Sequence, residues 1–254
     1  MNPRFPLKAT AESLLLLAAL IALWWLASHH EWVSKVFLPT PEATFSSLKS
    51  GLLNGELAGF SLDTINRMLL GWLLASLIGI LLGALVAISS SARAWIQPTL
   101  EFIRPLPASA IMPLSISIFG LNAAMVMFVV AFGAMWPVLL ATIHGFVSVD
   151  PRLREVATAL RLSRTAFIWK MGLPSAMPDI LAGMRLSMTV SLIIAVVGEM
   201  IASQSGLGQA ILLAARSFRA SELFAGVVLL GIIGFAANSL LSLAEKKLLR
   251  WQAR

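Results

Sequence analysis

This sequence predicts an all-α integral membrane protein with about six transmembrane helices, and three observations lead to that class. Hydrophobic residues make up 58% of the chain and charged residues 12%, and the mean hydropathy is +0.87, a balance far from that of a soluble domain. The apolar residues are gathered into blocks long enough to cross about 30 Å of hydrocarbon as helix. Those blocks lack the apolar–polar alternation of barrel strands. Backbone polar groups in lipid must then be satisfied within helices.

Taken in order, the apolar runs cover residues 14–27, 68–88, 108–119, 123–147, 180–202 and 223–243. Arg4 and Lys8 precede the first run and Ala-Ser follows it, as in a cleaved signal peptide. Trp24, Trp25 and Trp32 crowd its end like an interfacial aromatic belt, however, and the segment is read as a retained span. The long polar stretch 28–63 contains Pro39, Thr40 and Pro41 and predicts a loop with a short surface helix. The third run is short and carries Pro107 and Pro113, so its helix is expected to be kinked or broken. In the second, Gly71, Gly79 and Gly83 contain a G-x-x-x-G spacing that lets helices approach closely. No internal repeat or low-complexity linker divides the chain. It reads as one membrane domain, with an N-terminal span and external loop over 1–62 and a core over 63–254.

Topology follows from charge. The segments assigned to the cytoplasm hold Arg4, Lys8, Arg93, Arg104, Arg152, Arg154, Arg161, Arg164, Lys170, Lys246, Lys247, Arg250 and Arg254 of the 19 Lys and Arg. The external ones hold Lys35, Lys49, Arg216 and Arg219, while Arg67 and Arg185 stand at helix ends and count for neither side. That asymmetry places both termini in the cytoplasm. It also accounts for the net charge of +7 without a nucleic-acid partner. The absence of cysteine excludes disulfides and thiolate chemistry. The three histidines, His29, His30 and His144, read as interfacial or packed rather than as a metal site.

Residues 150–178, DPRLREVATALRLSRTAFIWKMGLPSAMP, form a basic amphipathic insertion between two apolar runs. Asp150 and Pro151 suit an N-cap and first helical position, with Glu155 near the positive end of the helix dipole. Leu153, Val156, Ala157, Leu160 and Leu162 fall near helical spacing on one side, and Arg152, Arg154, Arg161 and Arg164 decorate the others. Leu173-Pro174 and Met177-Pro178 predict an abrupt change of direction before the fifth span. Such a helix lies on a membrane or in a protein groove.

Three residues inside the later spans are candidates for a translocation path. Glu199 stands in an apolar run, where it either contacts the path or pairs with a neighbouring helix. Arg185 either snorkels to the cytoplasmic interface or contacts an anion. Asn238 either packs helices together or binds solute. Ser205-Gly206-Leu207-Gly208 lacks the Lys and the following Ser/Thr of a phosphate-binding loop, so ATP is not expected to bind this chain.

The 150–178 insertion resembles the cytoplasmic "EAA" loop of the permease subunits of bacterial ABC importers. Glu155, Ala157, Leu173 and Pro174 match its pattern, Met171 stands where an Ile is usual, Val156 replaces the first Ala, and Arg161 replaces the Gly. FIRPLPASAIMPLSISIFG at 102–120 and GEMIASQSGLGQAIL at 198–212 are similar to permeases of the nitrate, sulfonate and taurine importer branch, as is the closing Leu249-Arg250-Trp251. The resemblance covers roughly residues 63–251. It implies the type I importer permease fold, with the loop between spans 4 and 5 as a coupling helix carrying Glu155, Ala157, Arg161, Leu173 and Pro174. It further implies a homodimer in the bacterial inner membrane, two cytoplasmic ATPase subunits that bind the ATP, an external substrate-binding protein, and a small anionic solute. A stand-alone channel, a secondary transporter or a membrane-embedded enzyme is the alternative. An enzyme would need a nucleophile with its base or paired carboxylates, and a carrier would need coupling carboxylates or an internal repeat. The sequence displays neither set.

Overall fold

The computed structural model describes residues 5–249, with side chains from Ala11 onward except that of Arg164. Arg4, Arg250, Trp251 and Arg254 therefore lie outside the described residues, as does the side chain of Lys8. The described residues form only helices: α1 (Phe5–His29), α2 (Pro41–Leu53), α3 (Glu56–Ile88), α4 (Ser90–Ile103), α5 (Ala108–Phe119), α6 (Ala123–Val147), α7 (Pro151–Ala159), α8 (Arg164–Phe167), α9 (Leu173–Ala202), α10 (Leu207–Arg216) and α11 (Ala220–Leu248). A π-helical turn, Ile168–Gly172, joins α8 to α9.

The core is the bundle of α3, α6 and α9. Met125, Val126, Val129 and Val130 of α6 meet Ala195 and Ile194 of α9 in one cluster, and Met68 and Trp72 of α3 meet Met188 of α9 in another. Glycine sets the spacing. A Cβ at Gly79 would lie 2.9 Å from the Met135 carbonyl oxygen, and one at Gly83 would lie 2.7 Å from that of Leu139. A larger residue at either position would push α3 off α6. The contacts are sealed by two hydrogen bonds between helices, from the Trp72 indole N–H to the Met184 carbonyl (2.9 Å) and from the Ser187 hydroxyl to the Ala134 carbonyl (2.6 Å).

Helix α1 stands apart from this core. Only 6% of its most apolar window is buried, against 50% for α6, so its leucines face the surroundings. Its C-terminal end is fastened by tryptophan: the Trp24 indole donates to the Pro39 carbonyl and that of Trp25 to Glu42, each at 2.9 Å. The Trp24 ring also stacks on Phe224 of α11 at 5.7 Å. The expected surface helix in the following loop is α2, capped by the Thr40 hydroxyl, which accepts from the Ala43 N–H.

Among the described residues, five helical stretches are long and apolar enough to span, and the bent pair α4–α5 makes a sixth. Three boundaries correct the sequence reading. The second span starts at Glu56, directly after the left-handed Gly55 (φ +84°), and runs as one 33-residue helix to Ile88, through the boundary expected at position 63. The third is broken as expected, but by a 97° bend in the segment between Ile103 and Ala108. That segment holds Pro105 and Pro107, whereas α5 continues through Pro113. The preceding segment, assigned to the cytoplasmic side through Arg93 and Arg104, contains the amphipathic helix α4, started by the Ser89 hydroxyl accepting from the Ala92 N–H. Thirdly, the chain does not turn at Pro174 or Pro178. It runs on as one 38-residue span, Thr165–Ala202. The π turn lengthens the hydrogen bond before Pro174 to an i→i−5 pattern, from Leu173 N to Ile168 O, which accommodates a ring that would otherwise clash with the preceding turn.

Candidate functional sites at the two ends of the bundle

One candidate site is the α6–α9 connection. Asp150 caps α7 through its carboxylate, which accepts from the Arg152 N–H (2.9 Å), and Pro151 takes the first helical position. The Arg154 guanidinium reaches back to the carbonyls of Phe146 and Val147 at the end of α6 (3.4 and 3.3 Å). There it satisfies carbonyls that the helix leaves unpaired. The other end of α7 closes with Leu162 N–H to Ala157 O (2.9 Å) and Arg161 N–H to Thr158 O (3.0 Å), the paired bonds of a Schellman turn. Arg161 occupies the left-handed position of that turn at φ +47°. This is where the EAA pattern has glycine, because a side chain there costs about 1–2 kcal/mol. The helix therefore turns in the usual way despite the substitution.

Little of α7 rests on its own chain. Ala157 is buried, while Glu155, Val156, Leu160 and Arg161 are exposed. Val156 is 46% and Leu160 63% accessible, and Trp169 on the π turn is 66%. Leu173 is half-buried and Pro174 exposed. Beside the helix lies a cavity of about 610 Å³ lined by Ser89, Arg154, Ala157, Thr158, Leu162 and Phe167. Apolar anchors ringed by charge on a framed, projecting helix are the ingredients of a protein-docking surface.

At the opposite end of α9 lies a second cluster. Glu199 is fully buried. Its Oε1 accepts from Arg67 Nη1 (2.7 Å), and its Oε2 accepts from the Thr64 hydroxyl (3.0 Å) and the Gly208 N–H (2.9 Å). The Thr64 oxygen in turn accepts from the Leu207 N–H (2.9 Å). Arg67 also donates to the Ser205 carbonyl, and the Ser205 hydroxyl donates to Asp63. Arg67, Thr64 and Asp63 of α3 are thus bound to the α9–α10 turn across more than 130 positions of sequence. The sequence reading overlooked them. Their one signal was that Arg67 and Glu199 are opposite charges at or within apolar runs, which lipid forces to pair.

The other two path candidates lie elsewhere. Arg185 of α9 forms an ion pair with Glu245 near the end of α11, and its Nε is buried without a partner. Asn238 is exposed on α11.

Residues 75–252 match the model of the binding-protein-dependent transport system inner membrane component. The chain belongs to this family. A Bacillus subtilis protein named as an aliphatic sulfonates transport permease is 35% identical over 241 residues, spanning 95% of this chain and 87% of that one. The taurine transport system permease protein of Escherichia coli is 28% identical, spanning 98% and 92%. In fold, the chain is similar to the inward-facing methionine ABC transporter, with a TM-score of 0.65 at 19% identity, over 80% of this chain and 98% of that one. The protein is a multi-pass inner-membrane permease of the ABC class, in the branch of sulfonate and taurine permeases.

Proposed function

We propose that this permease forms, as a pair of identical copies, the translocation path for a small anionic solute such as a sulfonate or taurine. An external binding protein would deliver the solute, and two cytoplasmic ATPase subunits would bind the ATP and drive transport. The chain itself then needs no nucleotide, and its own SGLG turn lacks the lysine that holds a phosphate. The single observation that carries the reading is α7. It is a helix capped at both ends and tied to α6 through Arg154, yet it exposes Glu155, Val156 and Leu160 to a partner. Glu155, Ala157, Arg161, Leu173 and Pro174 are its coupling residues, with Ala157 as the buried footing. The charge count puts α7, and with it both termini, in the cytoplasm. Helices α3 to α11 line the path, and α1 with α2 adds a peripheral span. Solute identity is supported by the names of the relatives. Of the three path candidates, Glu199 and Arg185 hold helices together, and Asn238 is the one whose amide has no partner among the described residues.

Closure of the ATPase dimer would then move α7, and the rigid connection through Arg154 and the continuous α8–α9 helix would carry the motion into the spans. The test is to purify the tagged permease from its native membrane in mild detergent and assay for a co-purifying ATPase. Wild type should bring an active ATPase and Glu155→Arg should lose it while still inserting. A wild-type chain that purifies alone and inactive would shift the assignment to a channel or carrier.

A further inference from the structure

Helix α10 has no cap of its own. Its N-cap position is Gly206, which has no side chain to offer, and the first two amides of the helix are satisfied from outside it. The Leu207 N–H goes to Thr64 of α3 and the Gly208 N–H to Glu199 of α9. The fit is close enough to dictate composition. A Cβ at Gly206 would sit 2.3 Å from the Glu199 carboxylate, and one at Gly208 would sit 2.2 Å from the Val196 carbonyl oxygen. Beyond the caps, α10 buries Leu207, Ile211 and Ala214 against its neighbours.

We propose that Glu199, Arg67 and Thr64 are positioning residues for transport, clasping α10 to the ends of α3 and α9 throughout the cycle. That side of the path then opens by movement of the three helices as one body. The proposal rests on the importer reading above. The physical reason is the cost of release. Lifting α10 away would strip the Gly208 amide from a carboxylate with zero exposure and part Thr64 from the Leu207 amide. Moving Arg67 with it would leave a buried charge unpaired, which is far costlier than an exposed ion pair. A hinge used at every turnover would not be built from such contacts. Because all three of its donors belong to the protein, Glu199 is engaged in the clasp and does not act as a ligand for solute.

The chain has no cysteine, so a disulfide can be placed without competing thiols of its own by the pair Asp63→Cys and Ser205→Cys, whose native side chains are hydrogen-bonded, and the wild-type complex oxidised in parallel corrects for thiols of the ATPase. The complex purified with its ATPase is assayed for ATP hydrolysis under reductant and after oxidation with copper phenanthroline. The proposal expects no loss of rate on oxidation. A loss that reductant reverses would mean that the turn opens in each cycle, and would overturn it. A complex that hydrolyses nothing even when reduced would count against the importer reading, and the clasp is then judged by alkylation alone. Leu207→Cys, at a fully buried position, should resist maleimide with Glu199 in place, become reactive when combined with Glu199→Ala, and stay protected when combined with Arg67→Lys. Equal labelling with and without Glu199 would refute the clasp.

Discussion

The two ends of α9 treat charge in opposite ways. At the α10 end, Glu199 is withdrawn into the bundle, Arg67 is half-buried beside it, and their hydrogen bonds are made within the chain. At the α7 end, Glu155, Arg152 and Arg161 stand exposed beside exposed Val156 and Leu160. The backbone differs as well. The α10 turn is held by long-range contacts to α3, whereas α7 is framed by local caps, with Arg154 reaching back to the end of α6. A permanently closed structural joint and a surface awaiting a partner would be expected to look like this. The chemistry that lipid forces on one end is free to serve recognition at the other.

Removing the buried carboxylate should have the largest effect. Glu199→Ala strips Arg67, Thr64 and the Gly208 amide of their acceptor and should destabilise the permease by about 3 kcal/mol, seen as a large fall in melting temperature in detergent. A small shift would mean that the pair is hydrated and would erase the contrast. Next comes Gly206→Ala, whose Cβ would collide with the Glu199 carboxylate. The joint must shift to admit it, at about 1–3 kcal/mol, and melting should fall while co-purification of the ATPase through α7 persists. The smallest change acts at the other end with the opposite sign. Arg161→Gly relieves a left-handed arginine and should stabilise the fold by about 1 kcal/mol. A loss of stability would mean that the arginine side chain holds the turn through contacts of its own.

The contrast was only half legible in the sequence. Local signals were plain: Asp150-Pro151 announced the start of α7, the tryptophans marked the end of α1, and Pro107 warned of the broken third span. These depend on neighbours within a turn or two, where side chains act on their own backbone. The change of direction was misplaced at Pro174, because a proline is a barrier only where the helix cannot widen, and the π turn before it does so. The real turn is at Arg161, where a left-handed residue was hidden by its being arginine instead of glycine. The Glu199 clasp was least visible, since it joins residues that only the fold brings together. The start of α10, capped by Thr64 and Glu199 instead of by a residue of its own, carried no local mark.

The most direct test of the two-ended account places a photo-crosslinking amino acid either at Leu160 on α7 or at Leu213 on α10, both exposed. The complex is then illuminated in native membranes and probed for the attached ATPase. The account predicts that Leu160 captures the ATPase and Leu213 does not. Capture from Leu213, or from neither position while the ATPase still co-purifies, would contradict it.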